Sequence, residues 1–175
     1  MKKYIMHVKK IENEVVNLLG EGNDKIGGDP TYLPPEDVDI DGYFLMEIYN
    51  NKRISGKENV LCWQFYQEEF GGPIMDVIEI PIGAKINKDK KIEKRRWIDE
   101  YIIEYEEIED SIANDEECIS AIGGTPNEFI KEECEYENVE YVGVIYDDLC
   151  PYGDLKLGFD GVIIGKDSEG NLVAI

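Results

Sequence analysis

Apolar and polar residues alternate along several short stretches of this chain, which is the pattern of β-strands with one buried face. Seven stretches predict strands: 4–8, 43–49, 60–66, 75–82, 139–146, 155–164 and 172–175. The stretch 60–66 is the most apolar and is rich in aromatic residues, so we expect it at the centre of the sheet. Pro81 has no backbone N–H, which predicts that 75–82 lies at a sheet edge or ends there.

Two further stretches fit more than one element. Residues 15–19 are β-branched enough for a strand but short enough for a piece of helix. Residues 97–108 space aromatic and apolar side chains as one helical face requires, yet 101–105 also alternates with charged neighbours, as a strand requires.

One glycine turn occurs twice in the chain. Ile-Gly-Gly-Asp-Pro at 26–30 returns as Ile-Gly-Gly-Thr-Pro at 122–126, 96 positions later. Glycine allows φ > 0 and proline sets φ near about −65°, so each copy predicts a sharp turn that leads into a strand. The turn residues are Gly27, Gly28, Pro30, Gly123, Gly124 and Pro126. Two copies of one turn predict two related halves built on the same plan.

Paired glycines also present backbone N–H groups that could hold an anion. A phosphate-binding loop opens a helix, however, and here a proline follows each glycine pair within two residues. No Gly-Lys-Ser/Thr sequence is present either. We therefore expect the two turns to be structural.

Length and composition favour one compact domain over residues 1–175. The chain has 175 residues, 42% of them hydrophobic, which is enough for a single core. We predict a mainly β fold, a β roll that becomes α+β if one or two short helices are present. No apolar run approaches the roughly 20 residues of a membrane helix, and the basic start at 1–10 lacks the unbroken apolar segment of a signal peptide. We therefore expect a cytoplasmic protein that does not bind membranes.

The charge is strongly acidic. With 39 acidic and 18 basic residues the formal net charge is −21, which disfavours nucleic acid and favours a basic protein partner. Ten acidic residues fall between 99 and 117, and a second cluster falls between 132 and 140. The candidate contacts for a basic partner are Glu104, Glu106, Glu107, Glu109 and Asp110. The alternative is that the charge serves solubility alone.

Residues that would carry catalysis or hold a metal are sparse. Asp37, Asp39 and Asp41, followed by Gly42, match the first half of a calcium loop, but the glutamate expected at its twelfth position is missing. His7 is the only histidine, and the four cysteines lack Cys-x-x-Cys spacing. We expect no cofactor and no metal, with these three aspartates as the only metal candidates, and nothing in the sequence argues for an enzyme.

Several motifs resemble the YwqG-like family of bacterial proteins. They are the Gly-Gly-Asp-Pro-Thr-Tyr-Leu-Pro segment ending at Pro34, the apolar stretches 43–48 and 61–66, the second turn at 122–126 and the C-terminal 153–164. The Trp-Pro pair of that family is replaced here by Val-Asp-Ile-Asp at 38–41. The resemblance implies a mainly β roll, favours a strand over 97–108 and implies no defined activity, although an immunity role beside a bacterial toxin fits it.

Together these features predict a non-catalytic acidic binding protein that engages a basic protein, as an immunity protein would. The alternative is a small-molecule or metal-binding protein or enzyme, with a pocket between the two halves. Mimicry of nucleic acid would need the same acidic surface, so the sequence does not separate it from immunity.

Overall fold

The computed structural model describes residues 1–10, 23–68, 74–88, 100–110, 119–149 and 161–175. This part of the chain contains ten strands, one α-helix and a short 3₁₀ helix at Asp147–Leu149. The strands are β1 (Lys2–Lys10), β2 (Lys25–Gly27), β3 (Tyr43–Tyr49), β4 (Val60–Gln67), β5 (Ile74–Pro81), β6 (Glu100–Glu109), β7 (Ala121–Gly123), β8 (Glu140–Ile145), β9 (Val162–Lys166) and β10 (Leu172–Ala174). The helix is α1 (Glu128–Glu137). The predicted mainly β fold with a short helix is therefore confirmed.

All ten strands form one antiparallel sheet in the order β10-β9-β8-β7-β1-β6-β2-β3-β4-β5. Its two edge strands, β5 and β10, approach each other without pairing, so the sheet curls into a nearly closed barrel. The Lys57 side chain connects these edges. Its Nζ donates to Glu79 Oε1 in β5 at 3.2 Å and to Asn171 Oδ1 just before β10.

The two predicted halves are present, and they exchange strands. Each half consists of one long strand and a four-strand meander, β1 with β2–β5 and β6 with β7–β10. The long strands pair with each other, and each also pairs with the opposite meander: β1 lies beside β7 and β6 lies beside β2. The halves therefore complete one sheet together, and neither closes it alone.

The repeated glycine turn has the same backbone in both halves. Gly27 and Gly28 have φ of 78° and 65°, and Gly123 and Gly124 have φ of 74° and 78°. The turns lie at the ends of β2 and β7, which corrects the expectation that they lead into strands. A sharp turn can close a strand as readily as open one, and the motif alone does not distinguish the two.

After each turn the chain crosses the outer face of its own meander. Behind the first turn, Tyr32 packs with Phe44 and Tyr66 on β3 and β4. Behind the second, α1 places Ile130 on the outer face of β8 and β9. The segment after each turn covers apolar side chains on the outer face of its meander, so those parts of each meander are buried on both faces.

The helix begins and ends with capping residues. The Asn127 side chain accepts a hydrogen bond from the backbone N–H of Ile130 at 2.9 Å, and Asn138 ends the helix in the left-handed conformation. Because Pro126 directly precedes this cap, the second turn does lead into a helix. The argument that neither turn opens a helix was therefore wrong for the second copy.

The principal core lies inside the curled sheet, where Met6, Ile26, Leu45, Trp63 and Phe65 are buried together. Strand β4, expected at the centre, is second from the edge. It is nevertheless buried on both faces, because a covered barrel wall buries near-edge strands as fully as central ones. The prediction that this stretch is a buried, apolar strand is confirmed, but the prediction that it lies at the centre of the sheet is wrong.

The remaining strand predictions agree with the structure where it describes them. Residues 100–109 form strand β6, β5 is an edge strand that ends at Pro81, and β10 pairs back onto β9. The stretch 15–19 and residues 97–99 and 155–160 lie outside the described residues. No helix in the described part of the chain is long and apolar enough to span a membrane.

Candidate protein-binding surface

The five acidic residues predicted as partner contacts do not share one face of the sheet. In β6 the register sets Tyr105 opposite Met6, and both contact the principal core. Side chains alternate along a strand, so Glu107 and Glu109 lie on the core side, where they are exposed at the strand end, and Glu104 and Glu106 lie on the outer side. The strand therefore divides the predicted set into two small groups.

Most of this set already has partners within the chain. Glu106 Oε2 lies 3.0 Å from His7 Nε2, Glu107 accepts from Lys2 Nζ at 2.5 Å, and Glu109 lies 4.0 Å from the N-terminal amine. The hydrogen bond from Lys2 holds the pKa of Glu107 below its usual range. Among the described residues Glu104 has no such partner. Strand β1 thus offsets part of the charge of β6.

The carboxylate of Asp110, directly after β6, binds the backbone of the second glycine turn. Its Oδ2 accepts from the backbone N–H of Thr125 at 2.6 Å, and hydrogen bonding to Thr125 lowers the pKa of Asp110. Directly after the first turn, Glu47 Oε2 accepts from the backbone N–H of Thr31 at 3.1 Å. A backbone N–H in or next to each turn therefore binds a carboxylate, and in each case that carboxylate belongs to the protein itself.

The aspartates considered for calcium do not converge. Asp37, Asp39 and Asp41 are all exposed on the loop between β2 and β3. Within the described ranges, no three His, Cys, Asp or Glu side chains lie together as a metal ion would require. The loop packs Val38 and Ile40 onto the outer face of the sheet instead, so its apolar positions are the structural ones.

The outer face of α1 combines exposed aromatic side chains with glutamates. Phe129 is 68% exposed and Tyr136 is 84% exposed, and their spacing of seven positions puts them on the same helical face. The ten-residue helix contains five glutamates and one lysine: Glu128, Lys131, Glu132, Glu133, Glu135 and Glu137. None of these six makes a salt bridge to the described residues. The second acidic cluster of the sequence therefore lies largely on one helix, whose charges no salt bridge within the described ranges offsets.

A buried polar cluster lies where β2, β3 and β6 adjoin. Lys25 Nζ donates to Glu100 Oε1 and to the Asp29 carbonyl, both at 2.5 Å. Fully buried Glu47 accepts from Gln64 Nε2 at 2.9 Å through Oε2, while its Oε1 has no hydrogen-bond partner among the described residues. Burial raises the pKa of Glu47, and Lys25 opposes that shift. This cluster lies where the first meander meets β6 of the other half.

A second buried carboxylate, that of Asp24 just before β2, contacts β3 and β6. Asp24 accepts from the Tyr49 backbone N–H at 2.8 Å and from the Tyr105 hydroxyl at 2.5 Å. Arg53 stacks on the Tyr105 ring at 4.2 Å and lies 3.9 Å from Asp24 Oδ2. Burial raises the pKa of Asp24, and burial together with Asp24 raises the pKa of Tyr105. Both carboxylate oxygens of Asp24 therefore accept hydrogen bonds, and these bonds link the segment before β2 to β3 and β6.

In the described part of the chain, His7 makes no hydrogen bond to either cysteine thiol. His7 lies exposed on the outer face of β1 and contacts Glu106. Cys62 and Cys134 are buried free thiols, and burial raises the pKa of each. A thiol with a raised pKa is a poor nucleophile. Cys118 and Cys150 lie outside the described residues.

No protein-family model, curated protein or solved structure matches this chain. The resemblance to the YwqG-like family therefore stays a prediction that rests on the short motifs.

Proposed function

We propose that this protein is a non-catalytic, cytoplasmic binding protein of the YwqG-like family that engages a basic protein partner through its acidic surface. An immunity protein that neutralises a toxin is one concrete case. The net charge of −21 carries this proposal, because a field of that strength steers a basic partner into encounter and repels nucleic acid.

Charge that steers association acts chiefly on its rate and is screened by salt. The Debye length falls from about 30 Å at 0.01 M salt to about 8 Å at 0.15 M. We therefore expect the association rate with the partner to fall steeply over this range, while dissociation changes little.

The test begins with affinity capture from lysate at low and at high salt, followed by stopped-flow kinetics with the purified partner. Glu104→Lys and Glu106→Lys on the outer face of β6 should slow association and flatten its dependence on salt. Glu169→Lys is the matched control, because it makes the same charge change on the exposed turn between β9 and β10. An association rate that does not change with salt concentration would refute the proposal.

The second candidate function is binding of a small molecule at the buried polar cluster. It is favoured by the unpartnered Glu47 Oε1, since a buried carboxylate oxygen without a partner is costly. Calorimetry with calcium and melting with and without EDTA test the metal version of this function. No heat and no change in melting temperature would remove it.

A further inference from the structure

The outer face of α1 is a fixed platform. The opposite face of the helix is anchored by Ile130 and Cys134, which pack against Val144 and Ile163 of the sheet. Both ends are capped by asparagines. A partner that binds this face therefore meets a helix that is already ordered and loses little conformational entropy on binding.

Two aromatic side chains stand out from this platform into solvent. Phe129 and Tyr136 are 68% and 84% exposed, and seven helical positions separate them by about 10 Å along the axis. Most large apolar side chains in the described residues are buried or half-buried; the other strongly exposed ones are Met1 and Ile82. Exposed aromatic residues on a rigid element have the composition of an interface hot spot.

Within the ranges that the structure describes, the carboxylates around these rings have no salt-bridge partner. The glutamates of α1 outnumber its lysine five to one, whereas the carboxylates of β6 are partly neutralised by β1. A partner of α1 must therefore bring positive charge and a group that covers aromatic rings.

We propose that the outer face of α1 is the docking surface for an arginine-rich segment of the basic partner. A guanidinium group is planar, stacks on an aromatic ring and pairs bidentately with a carboxylate at the same time. A lysine ammonium forms the ion pair but lacks the planar stacking surface. This inference rests on the proposed function and adds the location of the site and the chemistry of its ligand.

The test uses the full chain with two peptides of equal charge, deca-arginine and deca-lysine, at low salt. Calorimetry should show tighter binding of deca-arginine. In the double variant Phe129→Ala/Tyr136→Ala, we expect deca-arginine to lose about tenfold in affinity, since two exposed cation–π contacts are together of that order. Deca-lysine should lose less.

Ile82→Ala is the matched control, because Ile82 is 65% exposed and lies directly after β5, away from α1 in the chain. It should leave both affinities unchanged. Thermal unfolding should be the same in all variants, because the substituted side chains are largely in water. Backbone amide shifts in an NMR titration should cluster on α1 when deca-arginine is added.

The outcomes separate the two proposals. Binding that the double variant leaves intact, but that Glu104→Lys weakens, would overturn the α1 site and keep the acidic binding protein. Equal losses for both peptides would overturn the preference for arginine. Failure of both peptides to bind at low salt would overturn the proposed function together with this inference.

Discussion

Substituting Gly123 by alanine tests the close approach that joins the two halves. Gly123 ends β7 with φ of 74°, and an added Cβ would lie 2.9 Å from the carbonyl oxygen of Lys2 in β1. The matched control is Gly170→Ala. Gly170 has φ of 82° in the turn between β9 and β10, where an added Cβ meets no atom within 4 Å. Both variants place a non-glycine residue in the left-handed conformation, but only Gly123→Ala also brings its Cβ against the backbone of another strand.

The magnitudes follow from these two effects. A left-handed conformation costs a non-glycine residue roughly 1–2 kcal/mol, and reduced freedom of the unfolded chain returns about 0.4–1 kcal/mol. Gly170→Ala should therefore lose about 1 kcal/mol. Gly123→Ala carries a further overpacking cost of about 1–3 kcal/mol, because the Lys2 backbone is held by its pairing with Glu109 and by the hydrogen bond that its carbonyl accepts from the Gly124 N–H. We expect a total loss of about 3 kcal/mol.

The assay is urea unfolding of both variants beside the wild type, with thermal melts as a second readout. In a chain of this size a loss of 1 kcal/mol lowers Tm by about 2–4 °C, so Gly123→Ala should melt about 4–8 °C below Gly170→Ala. Equal losses in the two variants would refute the idea that close packing of β7 on β1, beyond backbone strain, requires glycine at position 123.

Three further changes have expected outcomes. Because burial raises the pKa of Glu47 above its usual 4.5, the folded protein loses stability as pH rises above that value and Glu47 must ionise in the folded state. Urea titrations should therefore show Glu47→Gln gaining stability relative to the wild type as pH rises above 4.5, and a difference that does not vary with pH would contradict this. Asn127→Ala removes the cap of α1 and should lower the unfolding free energy by about 1 kcal/mol in urea titrations, with no loss expected if the cap is unimportant. Gly56→Ala would place a Cβ 2.3 Å from the buried ring of Trp63. We therefore expect it to lower the free energy of unfolding by about 2–3 kcal/mol and to alter tryptophan fluorescence. Unchanged stability together with an unchanged spectrum would argue against this packing.

Local patterns predicted the strands well. Alternation located β3 at its observed bounds, and the proline at position 81 correctly marked the end of an edge strand. For β6 the local pattern fitted a helix as well as a strand, and the family resemblance favoured the strand that the structure has. These features are set by each residue's own backbone preferences and by the two faces of a strand. The helix α1 was not located, although an asparagine followed by Ile130 and Cys134 four positions apart is a usable signal for one.

The candidate surface was predicted less completely. Composition identified two acidic clusters, but it did not separate carboxylates with partners in β1 from those without partners on α1. That separation depends on contacts between residues about 100 positions apart, such as Lys2 with Glu107. The sequence did not predict that Phe129 and Tyr136 are exposed either, because an aromatic residue is more often buried than exposed.

The sequence by itself determined the strand content, the repeated glycine turn and the sign of the surface charge, because each of these depends on residue type or short-range spacing. The tertiary structure alone decided that β1 and β6 exchange between the halves, that the sheet nearly closes into a barrel, and that Glu47 is buried with one oxygen that no described residue pairs. Strand order and burial are set by which distant segments pack together, and many pairings satisfy the same local pattern. Packing of the whole chain selects among them and thereby decides which charges and aromatic rings remain available to a partner.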